Sequence, residues 1–334
     1  MPAPLAPAPL AVTMGEPGGV GPEITLAAWE TLRKDSVFFV IADPSLFPAE
    51  KIALIARPEE AASVFTNKLP VLPLEMPVIA TPGAASSSNA DAVIESITRA
   101  VAFALSDAAS GVVTNPIQKS ALIAAGFKFP GHTEFLADLT KDAAMPVGRL
   151  RGPVMMLAGP ELKTVPVTIH QSVIEAARAL NTDMIVQTAT VTAQALAQEF
   201  GVTAPRLAIS GLNPHAGEAG ALGREDEEII APAIAALRAS AIDARGPLPA
   251  DTMFHAEART TYDAAICMLH DQALIPAKTM AFHDAVNITL GLPIIRTSPD
   301  HGTALDIAGK GVARADSLIA AIKMAAAMVA HRTP

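Results

Sequence analysis

Short apolar runs alternate with helix-patterned stretches along nearly the whole chain, and no other feature of the sequence restricts the fold as much. Leu10-Ala-Val-Thr-Met14 and Val37-Phe-Phe-Val-Ile-Ala42 are too short for buried helices and stop at Gly or Asp-Pro, as strands of a covered sheet do. Further strands are expected over 111–116, 153–158, 164–169, 206–211, 263–269, 286–290 and 293–296, with a turn at Gly291. Helices are expected from Pro22, which suits a first helical position, and from Asn89 as N-cap to about 108. Others are expected over 171–180, 183–200 and 225–240, and from about Arg314. Residues 70–88 read as a loose Pro/Ser segment. Strands and helices that take turns in this way define an α/β fold.

The 334 residues suffice for two domains at roughly 100–200 residues each, and a chain of that size needs no disulfide or metal staple to fold. No clean linker separates two halves, so a discontinuous domain is as consistent with the sequence as two consecutive ones. A net charge of −9 argues against an electrostatic nucleic-acid binder, whose phosphate contacts demand clustered Lys and Arg. Although 51% of the residues are hydrophobic, the longest uncharged stretches (1–15, 76–90 and 184–198) are fifteen residues and are interrupted by Pro, Gly or polar residues. A membrane span needs roughly 20 apolar residues. The start carries Pro at 2, 4, 7 and 9 and no Lys or Arg, so it reads as an extended lead-in rather than a secretory signal. Cys267 is the only cysteine, which excludes an internal disulfide and fits a reducing compartment. A soluble cytoplasmic protein is the expectation.

Ligands of open α/β sheets bind beyond the carboxyl ends of strands. Three histidines are expected there: His170 after 164–169, His215 in Gly211-Leu-Asn-Pro-His215, and His270 after 263–269. Neutral imidazoles suit zinc, cobalt or iron, and three protein ligands leave positions for substrate. Spacings of 45 and 55 residues are equally those of unrelated loop histidines. Asp271 either orients His270 or caps the next helix. Phe129-Pro-Gly-His132-Thr133-Glu134 puts His132 and Thr133 at an expected helix start, where free N–H groups favour phosphate or carboxylate. Lys278, Asn287 and Arg296 are further anion-binding candidates, Arg296 because it should leave an apolar strand at its end. A solvated surface charge is the alternative for each Lys or Arg. Gly15-Glu-Pro-Gly-Gly-Val-Gly-Pro-Glu23 joins a strand to a helix as a phosphate or substrate loop would, but it lacks Gly-x-Gly-x-x-Gly and its prolines argue against a Rossmann turn. The loop His301–Gly311 combines small residues with Asp306, which can accept from a ribose or an adenine amine.

Several strings in order carry a resemblance: the glycine-rich turn, Phe129-Pro-Gly-His-Thr-Glu-Phe135, Gly211-Leu-Asn-Pro-His-Ala-Gly-Glu218, Pro249-Ala-Asp-Thr252, Val286-Asn-Ile-Thr-Leu-Gly-Leu-Pro293 and Arg296-Thr-Ser-Pro-Asp-His-Gly-Thr-Ala304. Together they resemble the 4-hydroxythreonine-4-phosphate dehydrogenase family of pyridoxal phosphate biosynthesis, nearly end to end. The loop from His301 is also similar to the adenosine-binding loop of isocitrate and isopropylmalate dehydrogenases. The resemblance implies a two-domain isocitrate/isopropylmalate-dehydrogenase-like α/β/α fold with an interdomain active-site cleft. It implies a cofactor-binding domain of 1–126 and 277–334, and a metal, substrate and dimerisation domain of 127–276. A homodimer with the active site completed across subunits is implied, holding one divalent ion (zinc, magnesium or cobalt) on His170, His215 and His270. Substrate falls to His132, Thr133, Lys278, Asn287 and Arg296, and NAD or NADP to His301, Gly302, Thr303, Ala304 and Asp306. The implied reaction oxidises 4-phosphooxy-L-threonine at its metal-bound C3 hydroxyl, after which the keto acid loses CO2. Asp251 and Lys278 are both candidates for the proton transfer. Relatives of the family oxidise D-threonate or D-erythronate 4-phosphate or cyclic dihydrodiols. Those activities, or non-catalytic binding of a phosphorylated metabolite, are the alternatives.

Overall fold

The computed structural model describes residues 7–332, so residues 1–6 of the expected lead-in lie outside the described chain. Contacts divide the chain into two compact units, one built from residues up to Ala144 and from Leu292 onward, the other from Met145–Gly291. The sequence-based division set its breaks at 126/127 and 276/277, so 127–144 and 277–291 change sides. His132 and Thr133 thereby share a unit with Arg296, while Lys278 and Asn287 share one with the three histidines.

Along the chain the strands are β1 (Leu10–Thr13), β2 (Phe38–Ala42), β3 (Ile52–Leu54), β4 (Leu69–Pro73) and β5 (Val112–Val113) in the first unit. The second unit holds β6 (Val154–Ala158), β7 (Lys163–Pro166), β8 (Arg206–Ser210), β9 (Asp243–Leu248), β10 (Ala264–Cys267) and β11 (Val286–Leu290), and β12 (Arg296–Pro299) returns to the first.

In the first unit the order is β3-β4-β2-β1-β5-β12, parallel at every step. Parallel neighbours need crossovers, and the helices Gly21–Leu32 and Ala90–Leu105 supply two of them. The second helix buries Ala90, Val93, Ile97, Ala100, Val101 and Ala104, the three- and four-residue spacing of a single apolar face. Asn89 stands at its N-cap position, but its side chain bonds the Ile79 N–H and C=O instead, both at 2.9 Å.

In the second unit the order is β11-β6-β7-β10-β8-β9. The pairs β11/β6 and β6/β7 are antiparallel, and β7/β10, β10/β8 and β8/β9 are parallel. The strands that precede His170, His270 and His215 are therefore neighbours running the same way, with their carboxyl ends along one edge.

Several expectations need correction. No apolar alternation announces β4 or β9, because Pro70 and Pro73 interrupt the one and Gly246-Pro247 the other. Strand β12 begins at Arg296 instead of ending there: Pro293 has no N–H for a ladder, and the preceding residues are spent on the turn. Arg296 thus sits inside the sheet opposite Val112 rather than at a carboxyl end. The helix expected over 225–240 is a π-helical turn, Asp226–Ile230, followed by Ala231–Ala239, with Pro232 lacking the donor for a regular ladder. Among the described residues no helix is long and apolar enough to cross a membrane.

Candidate active site

Beyond β5 the chain continues through Thr114 and Asn115, both wholly buried. Asn115 Nδ2 donates to the Thr13 carbonyl at 2.9 Å and to Thr25 Oγ1 at 2.8 Å, which ties this segment to the end of β1. Arg296 on the adjacent β12 is 3% exposed and donates from Nη2 to Thr114 Oγ1 at 2.6 Å. A guanidinium is costly to bury, and burial brings its pKa down to about 10. It remains charged at neutral pH.

His132 opens the helix His132–Leu139, and its Nε2 is closed to solvent with no hydrogen-bond partner among the described residues. Burial, and then the charges of Arg296 and Lys119, hold its pKa well below the ordinary 6.5, so the ring is neutral at physiological pH. Lys119 starts the helix Lys119–Ala124, and its Cε and Nζ lie 3.3 and 3.4 Å from where Gly131 would carry a Cβ. Glu134 Oε2 is 3.5 Å from the same point, and Thr133 is half-buried beside it. Two cations, a neutral imidazole with an orphaned nitrogen and a helix N-terminus lie together with the Glu134 carboxylate beside them, and their chemistry would suit an anion. Lys119 is a residue that sequence reasoning passes over. Its only signal is the polar loop Thr114-Asn-Pro-Ile-Gln-Lys119 after an apolar run.

The glycine-rich turn is anchored where Met14 N–H donates to Ser96 Oγ (2.9 Å), which itself donates to the Ile41 carbonyl (2.7 Å). Within the turn Glu16 is 1% exposed, and burial raises its carboxyl pKa against the opposing pull of the Gly18 and Ser86 backbone. Val20 N–H donates to the Thr303 carbonyl at 3.0 Å, and Thr303 Oγ1 donates to Gln118 Oε1 at 2.9 Å. The turn and the 301–306 loop are thus hydrogen-bonded together. His301 and Asp306 are exposed, Ala304 has φ +45°, and a Cβ at Gly302 would meet nothing within 4 Å. That open backbone fits the close approach of a planar nucleotide.

In the second unit the three histidines follow β7, β8 and β10 at different distances. Strand β7 ends at Pro166, and Val167 and Thr168 then bond the Cys267 and Met268 carbonyls (2.8 and 3.3 Å) before exposed His170 with φ +51°. His215 begins a run through Gly220 in which φ is +52, +52, +78, +44, +52 and +85°. Left-handed backbone costs roughly 1–2 kcal/mol per non-glycine residue and normally occurs as single residues, so such a run has to be held from outside. Just before the run, Asp226, 1% exposed, accepts from Leu212 N–H (2.9 Å), Asn213 N–H (3.2 Å) and Asn213 Nδ2 (2.9 Å). His270 is the first residue of the helix His270–Ala281, with Leu269 at the N-cap, so Asp271 does not cap it. Asp271 Oδ1 lies 2.7 Å from His270 Nδ1 instead. An ionised carboxylate only accepts, which puts the ring proton on Nδ1 and leaves the Nε2 lone pair available.

Among the described residues no group of three His, Cys, Asp or Glu is gathered closely enough to hold a metal ion. The donor chemistry fits a divalent cation, with imidazoles along one sheet edge and one of them oriented by a carboxylate. One chain does not close the set. Asp251 is exposed in the turn Ala250–Thr252 and lines a cavity of about 450 Å³ with Phe254, Arg259, Gln272 and Met280. Lys278 is half-buried near the end of its helix, and Asn287 is half-buried on β11.

Two solved structures define the class. A 4-hydroxythreonine-4-phosphate dehydrogenase from Klebsiella pneumoniae is 36% identical, with 98% of this chain and 99% of that one covered and a TM-score of 0.86. A terephthalate 1,2-cis-dihydrodiol dehydrogenase from Burkholderia xenovorans LB400 is 25% identical, with 95% and 97% covered and a TM-score of 0.66. The fold is that of a group of α/β dehydrogenases. Residues 34–325 match the family described as pyridoxal phosphate biosynthetic protein PdxA. A 4-hydroxythreonine-4-phosphate dehydrogenase from Caulobacter vibrioides is 56% identical over 331 residues, 97% of this chain and 98% of the relative. The chain belongs to the PdxA family.

Proposed function

We propose that the protein oxidises 4-phosphooxy-L-threonine with NAD or NADP to 2-amino-3-oxo-4-phosphooxybutanoate, which loses CO2 to give 3-amino-2-oxopropyl phosphate. Relatives named 4-hydroxythreonine-4-phosphate dehydrogenase, similar over nearly the whole length, support the reaction. The observation that carries the substrate class is the cluster of buried Arg296, exposed Lys119 and neutral His132. It suits a phosphate dianion. Phosphate is remote from the reacting carbon, so its binding energy serves orientation. Thr133, Lys278 and Asn287 are the further contacts we assign to phosphate or carboxylate.

The open backbone of His301, Gly302, Thr303 and Ala304, with Asp306, takes the nicotinamide cofactor, and Val20 keeps that loop in place through Thr303. His170, His215 and His270 would hold a divalent ion, zinc, magnesium or cobalt, with the set completed by a second copy of the chain, so the active unit is a homodimer. Such an ion, when bound, supplies Lewis acidity toward the substrate hydroxyl. His270 keeps its donor nitrogen directed by Asp271, and Asp251 or Lys278 receives the hydroxyl proton. The setting we assign is the cytoplasm, where the buried thiol of Cys267 stays reduced.

Dihydrodiol oxidation is the second reading, favoured by the Burkholderia xenovorans likeness. Against it, a diol derived from terephthalate offers singly charged carboxylates, whereas Arg296, Lys119 and His132 suit a phosphate dianion better. The test is NADH or NADPH formation with 4-phosphooxy-L-threonine, D-threonate 4-phosphate, D-erythronate 4-phosphate and a cis-dihydrodiol. Highest kcat/KM with the first supports the proposal. Preference for either sugar-acid phosphate overturns the substrate, and preference for the diol overturns the phosphate role of Arg296 as well.

A further inference from the structure

The left-handed run 215–220 is an improbable backbone for this sequence, since four of its six residues are not glycine. Local bonds such as Ala216 N–H to the Asn213 carbonyl (3.1 Å) and Leu222 N–H to the Gly217 carbonyl (3.1 Å) carry part of it, and contacts from elsewhere in the fold must carry the rest. Asp226 is placed to do so. Its carboxylate is buried at the start of the π-helical turn Asp226–Ile230 and faces the segment immediately before the run. Oδ1 accepts from Leu212 N–H at 2.9 Å, and Oδ2 accepts from Asn213 N–H at 3.2 Å and Asn213 Nδ2 at 2.9 Å. The seat is shaped for it: a Cβ at Gly211 would come within 2.6 Å of Oδ1, and one at Gly217 within 3.2 Å of Oδ2. Asn213 is also held by Glu225 Oε2 at 2.8 Å, so both ends of the grip lie on consecutive residues.

We infer that Asp226 is a positioning residue for His215: its carboxylate, by accepting three N–H bonds across a glycine-walled seat, holds the left-handed turn that sets the direction of the imidazole. The role requires an anion that only accepts. Asn at this position is nearly isosteric, yet one of its two heads would turn N–H groups toward N–H groups. The loss therefore falls on the turn rather than on core volume. The inference deepens the reading of His215 as a metal ligand, and the two fail separately.

The experiment compares wild type with Asp226→Asn, using metal-free full-length protein. Amide hydrogen exchange is followed over 212–220, and Co2+ alone is titrated by its visible absorption. Faster exchange confined to 212–220, together with Co2+ binding weakened by about tenfold or more, is expected, a size typical when a partner of a metal ligand is lost. Unchanged exchange in that segment overturns the inference, as does faster exchange with undiminished Co2+ affinity. A uniform rise in exchange over the whole second unit also overturns it, because that marks a merely structural carboxylate. If Asp226→Asn does not fold, Asn213→Ala, which leaves both backbone N–H bonds, is expected to give the same local change at smaller size, and no local change overturns the inference. If wild type binds no Co2+, the ligand reading of His215 fails on its own, and the exchange over 212–220 alone decides whether Asp226 holds the turn.

Discussion

Arg296 is buried beside Thr114, and a guanidinium in that position gains most from a ligand of double negative charge. Arg296→Lys removes the planar fork while keeping a charge, so it is not conservative here. Its kcat/KM for the phosphorylated substrate is expected to fall roughly thirty- to hundredfold, about 2–3 kcal/mol, through a higher KM and a lower kcat together. Initial-rate kinetics decide this, and an unchanged kcat/KM removes Arg296 from the anion site. His132 makes a pH prediction. Its folded pKa lies below the unfolded one, so the unfolded chain takes up the proton first. This contribution is whole above about pH 6.5 and is lost as pH falls from there toward the folded value. His132→Gln should therefore flatten the decline of the unfolding midpoint between neutral and mildly acid pH, and equal slopes for variant and wild type contradict it. His132 stands beside a helix start, as the sequence suggests, whereas Arg296 begins β12 rather than ending a strand. Lys119 and Asp226 are not legible in the sequence, since an exposed lysine and an aspartate within Glu225-Asp-Glu-Glu228 look like solvated charges until the fold assembles their partners.

Among elements, runs buried on both faces were readable and proline-bearing ones were not. Strands β1, β2 and β8 lie within or close to the expected stretches because their apolar residues are consecutive, and β11 because Val286, Ile288 and Leu290 alternate with Asn287 and Thr289. Strand β4 pairs with both β2 and β3 despite its two prolines, a tertiary outcome that local propensity opposes. Helix ends followed capping chemistry where the cap had a local target. Ser172 accepts from Glu175 N–H at 3.3 Å while Glu175 Oε2 receives Ser172 N–H at 3.1 Å, which starts the helix Val173–Ala179. Asn89 departed because Ile79 competed for its amide. The turn at Gly291 gives the test at this scale. Its φ is +73°, a Cβ there would collide with the Gly152 carbonyl, and Gly152 N–H donates to the Gly291 carbonyl at 3.1 Å. Gly291→Ala is expected to lower unfolding free energy by about 2–3 kcal/mol in denaturant titration. A change under about 0.5 kcal/mol, the usual range for a surface substitution, contradicts the assigned turn.

For the molecule as a whole, the division into units was legible only as a discontinuity. The breaks lie at 144/145 and 291/292, where no Pro/Gly/Ser tract marks them. The parallel order of β7, β10 and β8 brings three histidine-bearing loops to one edge, which spacings along the chain do not reveal. The proposed metal site is completed by a second copy of the chain. Pairwise mixing of His170→Ala, His215→Ala and His270→Ala subunits tests that dependence. In a twofold dimer, random pairing makes half the dimers mixed, and a mixed dimer regains one site only when the two altered histidines belong to opposite copies. Two of the three pairs are therefore expected to recover about a quarter of wild-type metal-dependent turnover, while the third pair and each variant alone recover none. Failure of every pair, with mixed dimers demonstrably formed, would contradict a site shared between copies.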